Sequence, residues 1–256
     1  MNAPATASGA PIARHTSVRG QPARYVEAGE GLPLVLLHGL GLDASEWDAH
    51  IPLLATRGLR CIAPDLPGFG WTSGPRWGLH VDGTARWLLD FVDAIDLERA
   101  TWLGQSINAQ VALEVTAAAP DRAAGLVVVS PTGVRARLPR LRQFGALLLD
   151  APREPLELVT LVLRRYARAS KRRILGTWYQ AARHDPLARA GAVRCPALVS
   201  GGDHDPIAPV SYLEALATAL RARVEILPDG AHGAALSQRE RFVRLVAEFV
   251  LAEAGP

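Results

Sequence analysis

The sequence predicts an α/β fold: a mostly parallel, doubly wound sheet with helices on both faces and a helical cap inserted late in the chain. Three observations carry this. Six short apolar runs are each punctuated by turn-forming residues, which suits strands covered on both faces. Segments of helical periodicity separate most of them. The chain has 256 residues, 49% of them hydrophobic and 21% charged. That is long enough to bury one core and too apolar for a disordered chain.

Residues 1–20 are rich in Ala, Pro, Ser and Gly and have no apolar h-region. They read as a loose tail, assigned to residues 1–22, and not as a secretory signal. Ordered structure is expected from about Tyr25. Strands are predicted at 34–37, 59–63, 100–103, 126–129, 197–200 and 224–227. The β-branched run Val127-Val128-Val129 favours the extended state most clearly. Between the second and third strands, Val81, Ala85, Leu88, Leu89, Val92 and Ile95 repeat with helical spacing. Residues 106–119 form an alanine-rich stretch that stops at Pro120, as helices do. Further helices are expected at 212–220 and 242–251.

About sixty residues separate the fourth and fifth strands, more than a simple crossover needs. They hold helical stretches, clearest at 156–167, and no good strand. They read as a cap over residues 134–191, inserted into a core of 23–133 and 192–256. Between 134 and 190 there are thirteen basic and four acidic residues, which leaves the remainder of the chain net negative. Arg164, Arg165, Arg168, Lys171, Arg172 and Arg173 are either a solvated face docked on that acidic body or an anion-binding rim. Leu147, Leu148, Leu149, Leu161, Leu163, Trp178 and Tyr179 are expected in the core of the cap.

Composition excludes several classes. Two cysteines, Cys61 and Cys195, cannot build a disulfide framework, and no Cys/His spacing suggests zinc. A reducing cytoplasm fits. No apolar run approaches the roughly 20 residues of a membrane helix. A net charge of +3 does not argue for nucleic acid. The only lysine is Lys171, so the arginines reflect coding bias more than function. The expected partner is a small-molecule substrate, with no metal and no cofactor; the oligomeric state is open.

The chemistry sits at the strand ends. After the third predicted strand comes Gly104-Gln105-Ser106-Ile107-Asn108-Ala109, a serine at the apex of a strand-to-helix turn. This resembles the nucleophile elbow G-x-S-x-G of the α/β-hydrolase family, with Asn108 where the second glycine would stand. His38-Gly39-Leu40-Gly41 is similar to the family's HGxG turn, which implies an oxyanion hole from the Leu40 and Ile107 N–H groups, with His38 bracing the turn. The segment from Asp65 to Ser73 resembles the D-x-P-G-x-G-x-S loop, a structural turn. Asp203-His204-Asp205-Pro206-Ile207 resembles the segment that carries the acid. It implies Asp205, with Asp203 as the near rival; a metal at this cluster is not expected. Gly230-Ala231-His232 resembles the turn of the catalytic histidine. The resemblance therefore implies a triad of Ser106, Asp205 and His232.

A serine nucleophile sets this chain apart from relatives that carry an aspartate at the elbow. The implied activity is hydrolysis of a carboxylic ester through an acyl-enzyme. Carbon–carbon hydrolysis and lactone opening are the alternatives within the family. Gly233, where carbon–carbon hydrolases often carry tryptophan, counts mildly against the former. A non-catalytic binder, its elbow distorted by Asn108, is the alternative outside catalysis.

Overall fold

The computed structural model describes residues 10–133, 154 and 156–255. Among them one eight-stranded sheet runs in the order β1-β2-β4-β3-β5-β6-β7-β8. The six predicted strands correspond to β3 (Leu32–Leu37), β4 (Leu59–Pro64), β5 (Ala100–Gln105), β6 (Ala123–Val129), β7 (Ala197–Gly202) and β8 (Arg223–Leu227), all mutually parallel.

The remaining two strands correct the sequence reading. Residues 12–22 are not a loose tail. β1 (Ile12–Val18) and β2 (Gln21–Ala28) form an antiparallel hairpin, and β2 pairs antiparallel with β4. The connection is the two residues Arg19 and Gly20, with φ of 51° and 76°. Two successive positive φ values match the right-handed twist of a tight hairpin. β1 lies at the sheet edge and is largely exposed, so backbone pairing holds it and little apolar periodicity marks it. Residues 1–9 lie outside the described set.

Strand alternation divides the core in two. Val35, Leu37 and Val128 face one side, where α2 (Val81–Ala94), α3 (Ile107–Ala118) and α7 (Val210–Leu220) pack. Leu34, Leu36 and Val127 face the other, with Trp47, α1 (Ile51–Ala55) and α9 (Arg239–Ala252). The spacing of Val81, Ala85, Leu88 and Val92 puts them on the buried face of α2. Residues 107–116 of α3 are buried without a break, as befits a central helix enclosed by others.

Between β6 and β7 lie α4 (Leu156–Arg168), α5 (Lys171–Ala181) and α6 (Pro186–Ala190). Residues 134–153 and 155, with Leu147, Leu148 and Leu149, fall outside the described set, as does the side chain of Arg168. Trp178 packs against the core, whereas Leu163 and Tyr179 stand exposed, 66% and 45%. α8 (Ala234–Ser237) completes the chain before α9. No described helix is long and apolar enough to cross a membrane.

The topology selects one place for a site. From β3 the chain passes through α1 to β4 on one side of it, then through α2 to β5 on the other. The order of winding reverses between β3 and β5. In open α/β sheets, ligands bind beyond the carboxyl ends of the strands at such a switch point. The residues just past those two ends are His38 and Ser106.

Candidate active site

Ser106 lies between β5 and α3 with φ 57° and ψ −116°. This left-handed geometry is strained for a residue with a Cβ, and such strain is typical of functional turns. The neighbours make it possible. A Cβ at Gly104 would come within 2.2 Å of the Asn108 carbonyl and 2.7 Å of the Ala109 Cα, so strand and helix close only over glycine. The turn is fastened at both ends: Ser106 N–H donates to the Val129 carbonyl at 2.9 Å, and its own carbonyl accepts from Thr132 N–H at 3.2 Å.

His232 and Asp205 come to this serine from separate loops. Ser106 Oγ lies 2.9 Å from His232 Nε2, and Asp205 Oδ2 lies 2.9 Å from His232 Nδ1. A carboxylate only accepts, so Nδ1 carries the proton and Nε2 accepts from the serine hydroxyl. Asp205 Oδ1 accepts from the N–H groups of Ile207 (2.8 Å) and Ala208 (3.1 Å). Asp205 is 3% exposed. Burial pushes its pKa up, but the neighbouring imidazole and the N–H donors outweigh that and hold the carboxyl below its ordinary value. Ser106 and His232 are half-buried, within reach of a ligand, while the acid behind them is closed off.

Asp203 has a different task from Asp205. Its Oδ1 accepts the Gly230 N–H at 3.1 Å, and His204 N–H donates to the Gly230 carbonyl at 2.9 Å. The loop of the acid and the loop of the histidine are thereby tied together. Gln105 adds a tie from the elbow, its Nε2 donating to the His232 carbonyl at 3.3 Å. Among the described residues, no group of His, Cys, Asp or Glu is arranged to hold a metal ion.

The turn after β3 is pinned from three directions. His38 is fully buried, and burial lowers its pKa. Its Nε2 accepts from Leu66 N–H at 3.1 Å, so Nδ1 donates to the Gly39 carbonyl at 2.8 Å. The His38 carbonyl accepts from Asn108 Nδ2. The Gly39 N–H donates to Glu46 Oε2 at 2.5 Å. Among the described residues, neither the Leu40 N–H nor the Ile107 N–H donates to a main-chain carbonyl of a turn or loop. Asn108 therefore does not open the elbow: it links α3 to the turn that carries Leu40. Asp65 is structural. Its carboxylate accepts from Ala44 and Trp71 N–H, each at 2.9 Å, and pairs with Arg24 at 3.1 Å.

Several contributors were not evident from motifs. Glu46 precedes the buried Trp47 in an ordinary-looking turn, and nothing in its spacing marks it as a neighbour of Gly39. Glu154 accepts the Gly233 N–H at 2.6 Å, so a residue from between β6 and β7 grips the histidine loop. Arg165 reaches Asp43 Oδ2 at 3.0 Å and Ser45 Oγ at 2.8 Å. Arg173 donates to the carbonyls of Gly68 and Pro75. Lys171, Arg172 and Arg164 are exposed. The Tyr166 ring lies against Gly41, where a Cβ would meet it at 2.6 Å. A cavity of 780 Å³ lies between α4 and the body, lined in part by Glu46, Leu161, Arg164, Leu236 and Arg239 and apart from the triad.

Comparison with known proteins agrees with this architecture. An acetoin-cleaving-system dihydrolipoyllysine-residue acetyltransferase component of Pseudomonas putida is 34% identical over 126 residues, 48% of this chain and 34% of its own. The chain thus spans about a third of that relative's length. The 2-hydroxy-6-oxo-2,4-heptadienoate hydrolase of Pseudomonas putida is 28% identical over 95% of this chain and 98% of its own. The crystal structure of an enol-lactonase from Burkholderia xenovorans superposes with a TM-score of 0.81 at 23% identity, covering 93% of this chain and all of that one. The model of the alpha/beta hydrolase family matches residues 34–245, most of the chain, from the first parallel strand into the last helix; this chain belongs to the alpha/beta hydrolase family.

Proposed function

We propose that this protein is a serine hydrolase that cleaves a carboxylic ester through an acyl-enzyme. The carrying observation is the unbroken line Ser106 Oγ, His232 Nε2, His232 Nδ1, Asp205 Oδ2, each hydrogen bond at 2.9 Å. That distance is within the reach proton transfer requires, about 2.6–3.2 Å. As Ser106 Oγ attacks the carbonyl carbon, its proton passes to His232 Nε2. The carbonyl oxygen becomes an oxyanion facing the Leu40 and Ile107 N–H groups. Asp205 stabilises the imidazolium, which then protonates the departing alkoxide. Water, deprotonated by His232, cleaves the acyl-enzyme and restores the Ser106 hydroxyl. In each half of the cycle His232 is the residue that takes up the proton and gives it back.

A fluorophosphonate probe tests the reading. The expected result is one covalent adduct on Ser106, absent from Ser106→Ala. A folded protein that forms no adduct would be a binder that has lost catalysis. The expected substrate is a small molecule, for which Ser106 and His232 are the half-buried, approachable members of the line.

One observation supports a second reading. The relative named as a 2-hydroxy-6-oxo-2,4-heptadienoate hydrolase matches over nearly the full length of both chains. Cleavage of a ring-fission dienoate would employ the same triad. Gly233, where carbon–carbon hydrolases often carry tryptophan, favours the ester. Parallel assays on p-nitrophenyl acetate, a simple lactone and a ring-fission dienoate rank the three by kcat/KM. We place the protein in the cytoplasm because Cys61 and Cys195 are unpaired thiols. Recovery in a periplasmic or culture-medium fraction would overturn that placement.

A further inference from the structure

Glu46 is a buried carboxylate outside the triad. It is 4% exposed on the short turn Ala44–Trp47. Among the described residues no basic side chain forms an ion pair with it, and its hydrogen bond comes from the Gly39 main chain. Burying a carboxylate without a cation is unfavourable, so its retention calls for a local reason. Burial raises its pKa to about 7, against the lowering effects of the Gly39 N–H and His232; Asp43 raises it further. From α4, the phenol of Tyr166 feels its charge, and Glu157, Arg164 and Arg165 line the same cavity as Glu46.

The reason lies in two consecutive peptide planes. In the His38–Gly39 plane, the N–H donates to Glu46 and the carbonyl accepts from Asn108. In the Gly39–Leu40 plane, the carbonyl accepts from His38 Nδ1 at 2.8 Å and from Leu42 N–H at 3.3 Å. A trans peptide points its N–H opposite to its carbonyl, so fixing that carbonyl fixes the direction of the Leu40 N–H. Gly39 is the joint between the planes, and glycine supplies no stiffness of its own. Without Glu46 the first plane keeps one of its two ties.

We propose that Glu46 is a positioning residue of the oxyanion hole: by accepting the Gly39 N–H, it holds the His38–Gly39 plane, to which the plane that carries the Leu40 N–H is jointed at Gly39. The inference rests on the serine-hydrolase reading above. It assigns Glu46 no contact with substrate and no proton transfer. Its effect is felt by the transition state and not by the bound ester, because only the transition state carries the oxyanion.

Three variants of the full-length protein, Glu46→Leu, Glu46→Gln and Glu46→Asp, test it. For each, kcat and KM on p-nitrophenyl acetate, the fluorophosphonate labelling rate and the Tm are measured. Loss of a well-aimed oxyanion donor lowers kcat by ~100-fold or more, and misaiming one should fall ~10- to 100-fold. Glu46→Leu is expected to lose that much kcat and labelling rate, with KM within about threefold. Glu46→Gln keeps an acceptor of the same reach and restores most of kcat. Should Glu46→Leu fail to fold, Glu46→Asp decides, since it withdraws the acceptor by one methylene and is expected to lower kcat at unchanged KM. Wild-type kcat and labelling in a folded Leu or Asp variant would overturn the inference, as would equal losses in Leu and Gln. Absence of labelling in the wild type would instead bring down the hydrolase reading itself.

Discussion

The strand-end turns of the body and the helices of the cap are held in different ways. His38, Asp65, Ser106 and Asp205 sit in turns whose main-chain groups are tied by buried hydrogen bonds. The described helices between β6 and β7 meet the body through Tyr166 and Trp178 and through arginines: Arg165 on Asp43, Arg173 on the Gly68–Pro75 loop, Arg189 on Glu114. Buried ties in low dielectric are strong and insensitive to salt. Half-exposed ion pairs are weak and screened. The difference teaches where precision resides: buried ties fix the turns that carry Ser106, His232 and Asp205, whereas part of what joins α4–α6 to the body is partly exposed and adjustable.

The largest expected effect breaks the body side of the comparison. Ser106→Ala or His232→Ala should lower kcat/KM on p-nitrophenyl acetate by at least ~10³-fold, since the members of a triad act as a unit. Asp205→Asn should lose a comparable factor through the wrong imidazole tautomer. The melting temperatures of Ser106→Ala and His232→Ala should stay near wild type. Residual activity above a hundredth of wild type in His232→Ala would mean that another base serves the serine, and in Ser106→Ala that another nucleophile does the work.

Next is the charge buried beneath the oxyanion turn. The Glu46 carboxyl moves from 4.5 to about 7 on folding. Its folded state therefore holds the proton more tightly than the unfolded chain does. The penalty is absent below pH 4.5, grows between 4.5 and 7, and is complete above 7. A displacement of this size corresponds to roughly 3 kcal/mol. Glu46→Gln carries no such penalty, so its stability relative to wild type should rise across that window in urea unfolding. A difference that stays flat from pH 4.5 to 8 would contradict the burial of a charge there.

A smaller effect is expected at Asn108. Asn108→Ala removes the donor to the His38 carbonyl and leaves that buried acceptor with one partner fewer, at about 1–2 kcal/mol. A fall of ~10-fold in kcat with an unchanged labelling site would sharpen the view that the residue braces the elbow. Equal activity in Asn108→Gly would show that the family's ordinary glycine serves as well.

The contrast also explains what the sequence made legible. The six parallel strands show because strands covered on both faces are apolar throughout, as in Leu34-Val35-Leu36-Leu37. The triad shows because strained turns restrict their residues: glycine at 104 and alanine at 109 on either side of Ser106, a Pro-Ile pair after Asp205. The hairpin of β1 and β2 was hidden because an edge strand is held by backbone pairing, and its Ile12–Val18 run is mostly exposed. The Arg19-Gly20 turn was its only short-range trace. Glu46 and Glu154 were hidden for another reason. Each acts on a backbone N–H distant in sequence, seven residues away for Glu46 and Gly39, and 79 for Glu154 and Gly233. No local periodicity encodes such a contact.

The smallest expected effect concerns the cap arginines, and it decides between a docking face and an anion rim. Arg165 is engaged by Asp43 and Ser45, and Arg173 by loop carbonyls, so neither offers its guanidinium freely to a substrate. That favours docking. Each contact is partly exposed and should contribute about 0.2–1 kcal/mol. Arg165→Ala and Arg173→Ala should therefore change kcat/KM on a neutral ester by less than about fivefold, and the change should shrink as salt rises from 0.02 to 0.5 M. On a matched ester bearing a carboxylate the same factor is expected, because a docking arginine acts on the cap and not on the substrate's charge. A loss several-fold larger for the anionic ester, disappearing at high salt, would make these arginines part of the substrate site and would move specificity from the body to the cap.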